Sequence, residues 1–298
     1  MTDLHLKSIR KNYKHNVIFE DLSFEFSSGN IYGIVGYNGS GKTVLLKCLA
    51  GLESITEGEI ELDGSILGID FPFLPSVGVI IETPGFLEGY SGFDNLHQLA
   101  LIKNEIGEKE IIQSMIDVGL DPSSSKKVKH YSLGMKQKLA LAQAFMENPD
   151  ILILDEPING LDPKGIKDIR DILATLKNDF NITILISSHI LSELDLIADD
   201  YVIMSKGKII QEDSKAAILS SLANKTIVST ASNHTAIDIL TANNCDCTLL
   251  PDKIEVTHTP ISINQMIDVL RKNQIEIFEI YKEQVSFEEY YFNLVEGR

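Results

Sequence analysis

Between an apolar run, Ile31 to Val35, and a stretch with the composition of a helix, Thr43 to Ala50, the chain reads Gly36-Tyr37-Asn38-Gly39-Ser40-Gly41-Lys42-Thr43. This is the pattern G-x-x-x-x-G-K-[ST] in the strand–loop–helix setting it requires, and no other feature of the sequence constrains the fold as strongly. Glycines let successive backbone N–H groups curl around phosphate oxygens, and the start of the helix adds the positive end of its dipole. Lys42 is placed to reach the β and γ oxygens of a triphosphate, and Thr43 to hold Mg²⁺. With glycine at roughly 7% of residues, a chance match in a chain of this length is on the order of one in a hundred, so a bare glycine-rich turn is the weaker reading.

A second apolar run, Ile151-Leu152-Ile153-Leu154, leads into Asp155-Glu156-Pro157. A buried strand here delivers two adjacent acids to its carboxyl end, where open α/β sheets bind their ligands. Alternation along the strand turns the two acids in different directions. Asp155 is expected to complete the Mg²⁺ shell through water, and Glu156 to point at the γ-phosphate and polarise the attacking water.

Around these two sites the patterning alternates between strands and helices. Leu4 to Ile9, Val17 to Phe26, Gly58 to Asp63 and Val77 to Glu82 are β-rich and bounded by turn formers. From Phe93 to Asn148 the period becomes helical, with Phe93, Leu96, Leu99 and Ala100 on one face and Ile111, Ile112, Met115 and Ile116 on another. Helices over Pro163 to Lys177 and Leu191 to Ala198 then flank a strand over Ile182 to Ser187, and a hairpin follows over Tyr201 to Gln211, the alternation of a parallel α/β sheet. Strands at 225–230, 246–250, 253–258 and 276–281, with helices at 234–242 and 262–272, give the tail a βαββαβ order, that of a ferredoxin-like module. Ser286 with Glu289 reads as a capping box opening a last helix. The expected division is a domain over 1–220, with a helical subdomain over about 83–148, and an α+β accessory domain over 221–298.

Composition narrows the partners. Asp plus Glu outnumber Lys plus Arg by 43 to 26, a formal charge of −17, which disfavours a general electrostatic grip on nucleic acid or anionic lipid. Phosphate binding must therefore be local. The three cysteines, Cys48, Cys245 and Cys247, form no framework and point to a reduced, cytosolic compartment. Cys245-x-Cys247 offers two thiols without further ligands nearby, so no metal is expected there. The amino terminus has no signal-peptide pattern, and the apolar runs fall far short of the roughly 20 residues of a bilayer-spanning helix.

Tyr131-Ser132-Leu133-Gly134-Met135-Lys136-Gln137 resembles the signature loop of the ATP-binding cassette (ABC) family, and it stands where that family has it, between the helical segment and the acidic strand. Ser132 can N-cap a helix whose positive end would face a γ-phosphate held by another subunit. Gly160-Leu161-Asp162 is similar to the family's interface-crossing loop, His189 to its switch histidine, and Tyr13 to the aromatic that stacks on adenine. The resemblance covers about residues 3–220. It implies a P-loop NTPase cassette with an antiparallel β subdomain and a helical subdomain, ATP and Mg²⁺ as ligands, and ATP hydrolysis. It further implies a head-to-tail dimer with a second copy, and a separate integral-membrane permease that would hold the chain on the cytoplasmic face of the membrane. Where most members carry glutamine, this chain has Glu82, a harder and charged ligand for Mg²⁺. Glu82 together with Tyr-Ser-Leu-Gly-Met is similar to the exporters of the bacitracin and lantibiotic type. A soluble cassette ATPase acting on ribosomes or DNA would show two cassettes or a long coiled-coil insert with basic patches. A nucleotide-gated regulator or immunity module without catalysis would lack Glu156 or Lys42. The sequence has neither character.

Overall fold

The chain opens with a hairpin, β1 (Leu4–Tyr13) and β2 (Asn16–Phe26), whose inward residues Leu4, Leu6, Ile9, Phe19, Leu22 and Phe26 are buried. The computed structural model describes residues 3–82, 84–189, 191–221, 225–283 and 287–296. β3 (Ile31–Val35) is buried along its whole length, as a central parallel strand covered on both faces must be. Next come α1 (Lys42–Leu49), β4 (Glu57–Leu62), the short β5 (Ser65–Ile66) and β6 (Val77–Ile80). The helical segment contains α2 (Gly92–Lys103), α3 (Glu108–Asp117) and, after a 3₁₀ turn, α4 (Leu133–Phe145). Then follow β7 (Ile151–Asp155), α5 (Pro163–Phe180), β8 (Thr183–Ser188), α6 (Leu191–Leu194), β9 (Asp200–Ser205), β10 (Lys208–Ser214) and α7 (Lys215–Ser221).

These strands form two sheets. The antiparallel sheet has the order β2-β1-β4-β5, and the larger one the order β10-β9-β3-β8-β7-β6. Within the larger sheet β9, β3, β8, β7 and β6 are parallel neighbours, and β10 closes one edge antiparallel to β9. Leu45, Leu46 and Leu49 of α1 are fully buried in a core shared with both sheets. Each such side chain contributes about 1.5–3 kcal/mol relative to exposure, so the loop ahead of α1 rests on a rigid base.

Several expected boundaries move. The helix expected from Leu191 to Ala198 ends at Leu194. On α3, Ile111 and Met115 are buried, but Ile112 and Ile116 stand 37% and 52% exposed. The two pairs lie about 100° apart around the helix, and only one of these stripes meets neighbouring helices. Asp162 caps α5 by accepting from the Gly165 N–H at 3.0 Å, and Pro163 follows at the first helical position.

The chain divides into two compact units, Met1–Lys215 and Ala216–Arg298. The second begins within α7 and contains β11 (Lys225–Thr230), α8 (Asn233–Ala242), β12 (Asp246–Leu249), β13 (Ile254–His258), α9 (Ile263–Lys272), β14 (Ile277–Glu283) and α10 (Phe287–Glu296). Its sheet has the order β12-β13-β11-β14, with antiparallel neighbours throughout. A separate core of Val228, Ala236, Leu240, Ile254, Val256, Met266 and Leu270 lies within it. Ser286, expected to cap the last helix, lies outside the described residues.

Candidate active site

Parallel register brings the sequence motifs to one edge. Val35 is level with Ser188, and Asp155 with Ser187, so the ends of β3, β8 and β7 stand side by side. The loop after β3, the acids after β7 and the histidine after β8 therefore converge at the carboxyl edge of the sheet, where such sheets bind ligands. Because Ile80 is level with Leu154, the segment running into Glu82 leaves the sheet at the same edge.

The glycine loop is built for an anion. At Gly36 an added Cβ would lie 2.3 Å from Ser40 Oγ and 2.7 Å from the Met204 carbonyl, so no side chain fits. Gly41, with φ of +104°, is the N-cap of α1 and gives it no side-chain cap, and the first turn carries no acid. The N–H groups at the start of α1 are thus left for a ligand. Ser40 Oγ is buried without a partner, a polar atom that a phosphate oxygen would satisfy. Lys42, 6% exposed, folds back and donates from Nζ to the Gly36 carbonyl at 2.6 Å. Burial holds its pKa below the ordinary lysine value, and the charges of Glu156 and Asp155 oppose that shift only in part. A cavity of about 290 Å³ is lined by Asn38, Gly39, Gly41, Lys42, Thr43 and Glu156, with Ile18 and Val44 as its apolar wall.

The acids are fixed by neighbouring hydroxyls. Thr43 donates to Asp155 Oδ2 at 2.8 Å, and Ser187 donates to Asp155 Oδ1. The same Ser187 oxygen accepts the Glu156 N–H at 3.0 Å. Glu156 sits at φ of +50°, a conformation unusual for a side-chain-bearing residue, and its Oε2 lies 2.7 Å from His189 Nδ1. A carboxylate only accepts, so Nδ1–H donates and His189 holds Glu156 in place. Thr43 and Asp155 together present the oxygen ligands that a magnesium ion takes.

Five predicted residues stand elsewhere. Glu82, at φ of +64°, pairs with Lys47 Nζ at 2.7 Å rather than with Thr43 or Asp155. Tyr13 is 44% exposed, donates to Glu53, and has the Lys11 ammonium 4.8 Å from its ring centre. The carboxylate of Asp162 is engaged as the α5 cap. Ser132 caps α4 by accepting the Met135 N–H at 3.2 Å, and an added Cβ on Gly134 would meet only Leu161, at 3.9 Å. A cavity of about 630 Å³ lies between the start of α4 and the start of α5, lined by Ser132, Leu133, Gly134, Gly160, Leu161 and Asp162 among others. None of its lining residues belongs to the glycine loop. Ser187 and Lys47 went unread in the sequence. Lys47 lies one helical turn beyond Thr43, a spacing that puts both on one face of α1 and was the available signal.

This fold and this edge define a P-loop nucleotide-binding ATPase of the cassette class. Comparison with known proteins gives the family. The ABC transporter family profile matches residues 19–159. The bacitracin transport ATP-binding protein BcrA of Enterococcus faecalis is 33% identical over 297 residues, 99% of this chain and 96% of its own. The lantibiotic transport ATP-binding protein SrtF of Streptococcus pyogenes is 37% identical over 209 residues, 70% of this chain and 90% of its own. The dimeric, post-hydrolysis structure of the ATP-binding cassette MJ0796 bound to ADP and Pi superposes with a TM-score of 0.63 at 20% identity, covering 71% of this chain and 98% of that one, a likeness of fold. The chain belongs to the ABC transporter family, as an ATP-binding, ATP-hydrolysing subunit.

Proposed function

We propose that two copies of this chain close head to tail over two ATP molecules and drive a separate membrane permease that exports an antimicrobial peptide or similar amphiphile. The observation that carries this reading is the separation of the two residue sets. Lys42, Thr43 and Glu156 line one cavity, and Ser132 and Gly134 another. A second copy brings its Ser132 helix start to the first cavity, where helix N–H groups stabilise phosphate charge. The bacitracin and lantibiotic names of BcrA and SrtF support the class of cargo.

In each composite site the loop N–H groups and Lys42 hold the β and γ phosphates, and Tyr13 stacks on adenine after leaving Glu53. Thr43 and Asp155 would hold Mg²⁺, with Glu82 joining them once released from Lys47; the ion neutralises charge on the phosphates. Glu156 takes the proton of the attacking water, aimed by the Ser187 and His189 bonds. Asp162 steadies the loop at the interface. The permease would keep the subunit at the inner face of the membrane; among the described residues no helix is long and apolar enough to cross one. We further propose that residues 1–220 form the cassette domain and 221–298 a ferredoxin-like accessory domain.

The test is Glu156→Gln. It should lower ATP turnover by about 100- to 10,000-fold, the usual contribution of a positioned base. With Mg-ATP the variant should run as a dimer in light scattering. A variant that turns over at the wild-type rate would remove Glu156 as the base, and one that stays monomeric with saturating Mg-ATP would remove the composite site.

A further inference from the structure

We propose that the second unit carries a binding site for the oxyanion of a small, partly apolar molecule, a carboxylate or a phosphate, at the start of α9. Antiparallel pairing sets Val228 opposite Ile280 and Thr226 opposite Lys282. Directly opposed residues share a face, and residues two apart on one strand do too. Val228 and Ile280 pack in the helix-covered core, so Thr226 and Lys282 lie on that face one step further along. There the sheet meets the beginning of α9 around a cavity of about 390 Å³, lined by Thr226, Thr259, Ile261, Ser262, Ile263, Asn264, Met266 and Lys282.

Three independent features of this cavity call for an anion. Thr226 lines the cavity, is 2% exposed, and its hydroxyl has no hydrogen-bond partner among the described residues. A hydroxyl on so enclosed a residue, uncommitted to any protein group, is free to donate to a ligand oxygen. Lys282 enters no ion pair among the described residues, although this unit is rich in acids. The α9 capping box uses only the Ser262 and Gln265 N–H groups, through Gln265 Oε1 at 2.8 Å and Ser262 Oγ at 3.3 Å. The N–H groups of Ile263 and Asn264 remain for a ligand at the positive end of the helix. Ile261, Ile263 and Met266 supply an apolar wall for the rest of that molecule.

The site belongs to the second unit alone and stands whether or not the nucleotide reading does. Titrating the full-length chain with inorganic phosphate, and separately with hexanoate, while following backbone amide resonances tests it. Saturable shifts at Ile263 and Asn264 are expected. The better ligand of the two distinguishes a phosphate site from a carboxylate site with an apolar tail. Lys282→Ala should weaken the response roughly tenfold or more, the loss of one charge-assisted hydrogen bond. Thr226→Val, which keeps the side-chain volume, should weaken it by roughly threefold to tenfold. If the amides of Gly39 to Thr43 respond to phosphate while Ile263 and Asn264 stay still with both probes, the proposal is overturned and the P-loop reading is untouched. It also fails if the shifts at Ile263 and Asn264 survive both substitutions unchanged.

Discussion

Replacing Ser187 with Ala tests the claim that a single hydroxyl holds both acids of the active site. Ser187 is fully buried, donates to Asp155 Oδ1 and accepts the Glu156 N–H at 3.0 Å. The substitution removes one oxygen and almost no volume, so the cavity contribution is negligible and the loss is one of hydrogen bonding. Losing a donor to a carboxylate costs about 1.5–3 kcal/mol, and leaving a buried N–H unpaired costs about 1–3 kcal/mol. The two losses share one atom and are not additive, so a combined cost of about 2–4 kcal/mol is expected. In a folded unit of this size each kcal/mol lowers Tm by about 2–4 °C, which predicts a fall of about 5–15 °C by calorimetry. Glu156 is held at a positive φ partly by this bond, and its release should misplace the carboxylate. If about 1.4–2.8 kcal/mol of the loss falls on the reacting arrangement, kcat drops about 10- to 100-fold with little change in KM for ATP. A variant whose Tm lies within about 2 °C of wild type, and whose kcat lies within about twofold of it, would show that the acids are positioned by something else.

Further outcomes follow from the same geometry. Burial pushes the Lys42 ammonium below its ordinary 10.5, so in the window between that lowered value and 10.5 the unfolded chain binds more protons than the folded one. Stability of the nucleotide-free protein should therefore rise with pH across that window. ATP restores the charge, and calorimetry in buffers of different ionisation heat should detect proton uptake there. Tyr13→Ala should weaken ATP binding by roughly 5- to 30-fold, one base–aromatic stack of about 1–2 kcal/mol, and should narrow the preference for adenine over guanine nucleotides; equal affinities for wild type and variant would remove Tyr13 from the site. Cys48, its pKa pushed up to about 11 by burial, should resist a thiol reagent at about pH 8 until the chain unfolds; labelling at the rate of a free thiol would place it at the surface.

What the sequence made legible is what lies close along the chain. The glycine loop, the acidic strand end and the Ser132 cap each occupy a few consecutive residues, so their chemistry can be read without knowing what stands beside them. The second unit's strands and helices are likewise local, carried by alternation and capping. Strand order is not local. That β8 lies between β3 and β7 is decided by packing across the whole sheet, and only that order sets Ser187 level with Asp155. The Lys47–Glu82 pair joins residues 35 positions apart through a loop conformation at positive φ that no periodicity announces. Ile112 and Ile116 failed for a related reason. A helix period shows that a stripe exists, but which of two adjacent stripes is covered depends on the partner helix. The proposed site is therefore a joint product: in it contiguous motifs supply the reacting groups, and distant residues such as Ser187 and His189, bonded to Asp155 and Glu156, would set the angle at which those groups act. Substitutions in the motifs should remove function outright, while substitutions in the distant residues should grade it.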